Sequence, residues 1–309
     1  MLGNFLLVGQ QVVVLFILMI IGIIANRTHL LSKEAVSGMT NVVLYFVTPC
    51  VILNSFQREA KPELVSGLLE TGALAILVHL LAIFFASIIF NPKKDDEANN
   101  RIYRFATVFS NCGFMSLPID EALLGDIGVF YGAVFVAVFN VVLWTWGLVT
   151  MSGNIKEISI RKIFVNPGVL GTVFGIIIFA LGIKFPLIIA EPISFLASLN
   201  TPVPMIIIGY YIGNLTLKNF TQDKKQYVSI ALRLIIVPVI AILIMALLKT
   251  DKTIIAICTI AAGAPTATVT AMFATRFNRN AELGAGMVSV ATLLSLVTIP
   301  VLVALVQLI

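Results

Sequence analysis

Residues 107–119, Thr-Val-Phe-Ser-Asn-Cys-Gly-Phe-Met-Ser-Leu-Pro-Ile, place polar and helix-breaking types inside an apolar run. Asn111 brings an amide that needs a partner wherever water is excluded. Gly113 lets the backbone turn, and Pro118 removes an N–H donor. A second stretch, residues 259–270, has the same character, with Gly263 and Pro265 in its middle. Backbone opened at bilayer depth is tolerated only where protein buries it or water reaches it. The half-helix that follows such a break offers free N–H groups, a positive dipole end that can hold a carboxylate without a full charge. On this reading Ser110, Asn111, Cys112 and Gly113, with Gly263, Ala264, Pro265 and Thr266, are the candidate substrate-binding residues. The plainer readings are that Asn111 bonds a neighbouring helix and that Pro118 only kinks its own.

Two titratable residues lie well inside apolar runs, His79 and Arg233. Intramembrane ionisable groups are functional candidates by default. His79 suits a proton relay, or simply bonds a carbonyl. Arg233 suits charge coupling, or is close enough to one end of its run to extend its guanidinium to the surface. Asp120, Glu121 and Asp126 fall at the end of a run, where solvated capping is expected, and Trp144 and Trp146 fit an interfacial aromatic belt. No acid lies in either interrupted stretch, so a cation there would have carbonyls, hydroxyls and amides as ligands. Cys50, Cys112 and Cys258 show no disulfide or metal spacing. No metal or other cofactor is expected.

The elements that must position these residues follow from composition. Of 309 residues, 59% are hydrophobic and 11% charged, with a mean hydropathy of +1.05, which excludes a soluble globular domain. The apolar runs are too long for barrel strands, so the expected fold is an all-α membrane protein. Ten spans are expected, near residues 6–25, 35–56, 63–90, 104–122, 128–150, 165–183, 190–214, 227–248, 253–275 and 282–308, each of roughly 20 residues or more. The first is read as a span rather than a signal peptide, because no basic residue precedes it.

A shift of about 153 residues lays Thr48-Pro49 on Thr201-Pro202 and brings Asn111 to Gly113 within one residue of Gly263 to Pro265. It also pairs spans one to five (residues 1–150) with six to ten (residues 151–309). Five is odd, so the second half would enter the membrane from the opposite side, an inverted-topology repeat with its binding site at the paired breaks. Connections after odd-numbered spans hold Arg27, Lys33, Lys93, Lys94, Arg101, Arg104, Lys156, Arg161, Lys162, Lys218, Lys224, Lys225, Arg276 and Arg279. The other side holds Arg58, Lys61, Lys184, Lys249 and Lys252. This asymmetry places the first set in the cytoplasm and both termini outside. The net charge of +5 therefore reports orientation and not nucleic-acid binding.

Asn111-Cys112-Gly113-Phe114-Met115-Ser116-Leu117-Pro118 resembles the Asn-x-x-x-Met-x-x-Pro segment of the auxin efflux carrier family. Ala262-Gly263-Ala264-Pro265 running on to Pro300, and Met39-Thr40-Asn41 through Pro49, are similar to that family's C-terminal region and second span. The likeness covers nearly the whole chain, without the long central loop of many plant members, and so suggests a compact prokaryotic form. One departure is Ser110, where plant carriers have Pro. The resemblance implies a five-plus-five inverted fold related to bile acid symporters and sodium/proton antiporters, with broken spans four and nine crossing. It implies a homodimer in which spans 1, 2, 6 and 7 form a scaffold while 3–5 and 8–10 carry substrate, and in span six Gly168, Gly171 and Gly175 suit close packing. It also implies transport of organic anions, malate and malonate among bacterial members.

The leading expectation is thus a secondary transporter in the cell membrane moving a small mono- or dicarboxylate by alternating access, elevator-like. The alternative is an anion channel or membrane-embedded sensor that binds a carboxylate without alternating access. An enzyme is disfavoured by the absence of a His-Glu-x-x-His or Gly-x-Ser-x-Gly motif, and a nucleotide-driven pump by the absence of a P-loop.

Overall fold

The structure is a computed structural model that describes residues 2–91, 97–158, 161, 165–213 and 223–308. Among the expected cytoplasmic cations, Lys93, Lys94, Lys162 and Lys218 lie outside the described residues. The described chain is helical, with no strand beyond one isolated bridge. In order, the helices are α1 (Leu2–Arg27), α2 (Lys33–Ser55), α3 (Pro62–Ile89), α4 (Glu97–Val108), α5 (Leu117–Leu124) and α6 (Asp126–Ser152). There follow α7 (Pro167–Ala180), α8 (Leu187–Gly213), α9 (Lys224–Leu247), α10 (Lys252–Gly263), α11 (Val269–Arg276) and α12 (Ala281–Leu308). Six of them, α2, α3, α6, α8, α9 and α12, are long and apolar enough to cross a bilayer. Shorter apolar helices run over Val13–Arg27, Pro167–Ala180 and Lys252–Gly263.

Local chemistry explains where helices start and bend. Ser32, Asn166, Asp223 and Asp251 each accept a backbone N–H from the first turn of the helix they precede, satisfying donors that the helix itself cannot. Wide π-turns at Val43–Val47, Cys112–Ser116 and Leu232–Ile236 each end two residues before a proline: Pro49, Pro118 and Pro238. A helical proline cannot bond the carbonyl four residues back and presses its ring against it. In all three cases that carbonyl lies within the widened turn, which relieves the conflict.

The chain divides into two compact units, Met1–Gly72 with Gly113–Asn140 and Arg161–Asn214, and Ala73–Cys112 with Val141–Ile160 and Leu215–Ile309. In the first, α1 and α8 meet backbone to backbone. A β-carbon on Gly22 would overlap the Ile206 carbonyl, and one on Gly209 would overlap the Met19 carbonyl. The glycines of α7 also serve close packing, Gly171 against Pro49 and Gly175 against the Phe56 ring. Phe56, Phe130 and Phe179 stack together there, with centroids 4.6 to 6.1 Å apart.

In the second unit, Phe105, Phe109, Trp144, Trp146 and Phe273 form a continuous ring cluster. The two tryptophans are half-buried in it, held by packing against Phe109 and Phe273. Tyr103 donates to the Asp223 carboxylate at 2.7 Å, and Arg101 donates to the Thr150 carbonyl at 2.9 Å.

Candidate functional site

Both interruptions expected from the sequence are present. Helix α4 stops at Val108 and α-helical geometry resumes at Leu117, while α10 stops at Gly263 and α11 starts at Val269. The residues between do not hang open. Ser110 and Thr266 face each other as an isolated antiparallel bridge. The Asn111 N–H donates to the Pro265 carbonyl at 2.7 Å, and the Ala267 N–H donates to the Phe109 carbonyl at 2.9 Å.

This pattern makes Ser110 and Thr266 a non-hydrogen-bonded pair, the kind whose side chains approach most closely. It also explains why a proline fits. The bridge uses only the carbonyl of Pro265, and its missing N–H is never required. Pro265 further biases the residue before it away from helix, and Ala264 has φ −60° and ψ 146°. The sequence reading left the N–H groups after each break free, and this is corrected in part: those of Asn111 and Ala267 are used in tying the two breaks together.

The bridge is dry. Ser110, Asn111 and Cys112 are buried, as are Gly263, Ala264, Pro265 and Thr266. Thr266 Oγ1 donates to the Ala106 carbonyl at 3.2 Å. Asn111 is 4% exposed, yet its Nδ2 has no acceptor, and the hydroxyls of Thr259 in α10 and Thr270 in α11 are also buried without partners. The second unit thus brings together seven of the eight expected residues. Gly113, the eighth, belongs to the first unit, and a β-carbon there would meet nothing within 4 Å.

Arg233 overturns one of its two readings. It does not reach for the surface: it is 1% exposed. Its Nη1 donates to the carbonyls of Thr107 and Val108 at 3.1 and 2.9 Å, and its Nη2 donates to the Ala262 carbonyl. Those are the final carbonyls of α4 and α10, acceptors that have no intrahelical donor. Sequence reasoning missed this role because backbone carbonyls carry no residue signature.

His79 is 3% exposed and its Nδ1–H donates to the Ala75 carbonyl one turn back, at 2.7 Å. The carbonyl-bonded reading is therefore the observed state. Asp120 requires a correction. It was expected as a solvated cap, yet it is fully buried, with Oδ2 accepting from Ser116 Oγ at 2.9 Å and Oδ1 unpartnered. The reason is the turn that follows. Gly125, at φ +66°, reverses the chain at once, and Gly128 at the start of α6 comes so close to the Asp120 carbonyl that a β-carbon would overlap it. Asp126 remains exposed, and Glu121 is partly buried and accepts from Asn200 at 3.2 Å.

Long apolar helices with a pair of interruptions tied to each other define a class, the multi-pass membrane protein built on discontinuous helices, where transporters hold their substrates. Residues 7–156 and 150–303 match the family described as membrane transport protein, and the chain belongs to that family, which includes the auxin efflux carriers. The chain is also similar to an uncharacterized transporter of Methanothermobacter thermautotrophicus, at 22% identity over 297 residues, covering 94% of this chain and 96% of that protein. It is thus a multi-pass membrane protein of a family of transporters, not of enzymes.

Proposed function

We propose that the protein is a secondary carrier that moves a small organic anion, a mono- or dicarboxylate, across the cell membrane by alternating access. The observation that carries this is the Asn111 amide, 4% exposed and with no acceptor for its Nδ2, placed where two interrupted helices meet. A buried donor left unpaired costs about 1–3 kcal/mol, and a carboxylate is an acceptor that would remove that cost. Ser110, Cys112, Gly263, Ala264, Pro265 and Thr266 complete the surroundings. The unpartnered hydroxyls of Thr259 and Thr270 would suit the remaining polar atoms of a hydroxylated or dicarboxylic anion.

The topology that fits this reading is ten spans in two inverted five-helix repeats, with the interrupted fourth and ninth crossing and both termini outside. Spans 1, 2, 6 and 7 act as a scaffold and the rest carry substrate in an elevator-like motion, within a homodimer.

The test is flux in proteoliposomes. Radiolabelled malate, malonate and monocarboxylates are offered outside vesicles loaded with the same unlabelled anion. Saturable counterflow is the expected result, whereas conductance that rises linearly with concentration would make the protein a channel. Binding without flux would make it a sensor.

A further inference from the structure

Cations in transporters of interrupted helices are commonly coordinated by unwound carbonyls and half-helix C-termini. Here both such termini are occupied by a side chain. Helix α4 ends on Thr107 and Val108, helix α10 ends on Ala262 and Gly263, and Arg233 donates to three of these four carbonyls. A helix C-terminus carries the equivalent of about −0.5 elementary charge. Two of them meeting at one point sum to about −1, which one permanently protonated guanidinium balances. The planar fork also suits the task, since its two nitrogens can reach separate helix ends at once.

Arg233 is delivered to this point by the π-turn Leu232–Ile236 that precedes Pro238. No carboxylate is needed to explain its burial, because the helix ends supply the negative potential.

We infer that Arg233 is a tethered monovalent cation: it fills from within the chain the cation site that the carbonyl ends of α4 and α10 would otherwise form. The carrier therefore runs without a sodium ion bound there. Removing the side chain creates a vacant site of three buried acceptors, selective for one positive charge. Sodium fits it by charge, and methylguanidinium fits by charge and shape. This inference concerns the helix ends and not the transported anion, and its test uses no substrate, so it can fail while the anion-carrier reading stands.

The experiment follows the thermal unfolding midpoint of purified full-length protein in detergent, at constant ionic strength, with choline chloride exchanged for sodium chloride or for low-millimolar methylguanidinium chloride. Wild type is expected to show the same midpoint in all three. Arg233→Ala and Arg233→Met are expected to unfold earlier in choline and to recover saturably with methylguanidinium, and in part with sodium. Recovery of monodisperse Arg233→Ala only when methylguanidinium is present during purification supports the same conclusion.

A saturable sodium-dependent rise in wild type would overturn the proposal, as would neutral variants that ignore both ions. If neither neutral variant is recovered in any salt, Arg233→Lys decides. Folded protein with a lowered, sodium-indifferent midpoint is expected. Failure of the lysine variant too would overturn the proposal, since guanidinium shape and not a unit of charge would then be the requirement.

Discussion

Gly209→Ala should destabilise the protein while Gly38→Ala stabilises it, although both replace a helical glycine by the best helix former. At Gly209 the new β-carbon would lie 2.7 Å from the carbonyl carbon and 2.9 Å from the Cα of Met19, and would overlap the Met19 carbonyl oxygen. Ordinary contact between carbons is about 3.5–4.0 Å, so α1 and α8 must part by roughly 1 Å. Backbone cannot rotate aside, and overpacking of this kind costs about 1–3 kcal/mol. Taking the upper figure and subtracting about 1 kcal/mol of improved helix propensity leaves a net loss of about 2 kcal/mol. At Gly38, exposed in α2, nothing lies within 4 Å, so the propensity gain of about 0.5–1 kcal/mol stands alone. The two variants should therefore differ by nearly 3 kcal/mol with opposite signs. The assay is thermal unfolding read by a thiol-reactive maleimide dye in a Cys50→Ala background, where Cys112 and Cys258, both buried, report the loss of structure. A Gly209→Ala midpoint at or above that of the parent would refute the backbone contact between α1 and α8.

Ser116→Ala should cost about 1–3 kcal/mol, because it strips the Ser116 hydrogen bond from a fully buried Asp120; an unchanged midpoint in the dye assay would show that the carboxyl is satisfied in another way. Single cysteines at Lys33 and Lys224, both exposed, on a background lacking the native three, should react with impermeant reagent only after cells are permeabilised, and labelling of either in intact cells would reverse the orientation. Net export of a monoanion through about 100 mV, inside negative, releases roughly 2.3 kcal/mol, so net flux should respond to a potassium-diffusion potential. Indifference of that net flux to the potential would contradict export of an uncompensated negative charge.

Much of this was legible because its causes are local. Composition alone implied a helical membrane protein, and Gly113, Pro118, Gly263 and Pro265 marked where helices would break, since glycine and proline act on their own backbone. What happens at the breaks was not legible. The pairing of Ser110 with Thr266 joins residues far apart in the chain through main-chain atoms that every residue shares. Arg233 was hidden for the same reason, its partners being the carbonyls of Thr107, Val108 and Ala262. Asp120 was misread as a rim residue because the tight reversal at Gly125 and the close approach of Gly128 depend on tertiary packing and not on hydropathy. The π-turns were partly readable in retrospect, since Pro49, Pro118 and Pro238 each sit in a helix that had to widen just before them.

Asn111→Ala tests most directly whether the anion is held at the bridge between the interrupted helices. Losing one hydrogen bond to a charged ligand costs about 1.5–3 kcal/mol, and about 1.4 kcal/mol is tenfold in affinity. In counterflow with the best of the mono- and dicarboxylates from the liposome screen, Asn111→Ala should weaken half-saturation by roughly tenfold to a hundredfold. Asp126→Asn, an exposed control outside the bridge, should keep the wild-type value. Wild-type half-saturation in Asn111→Ala, with saturable flux intact, would remove the bridge from the binding site.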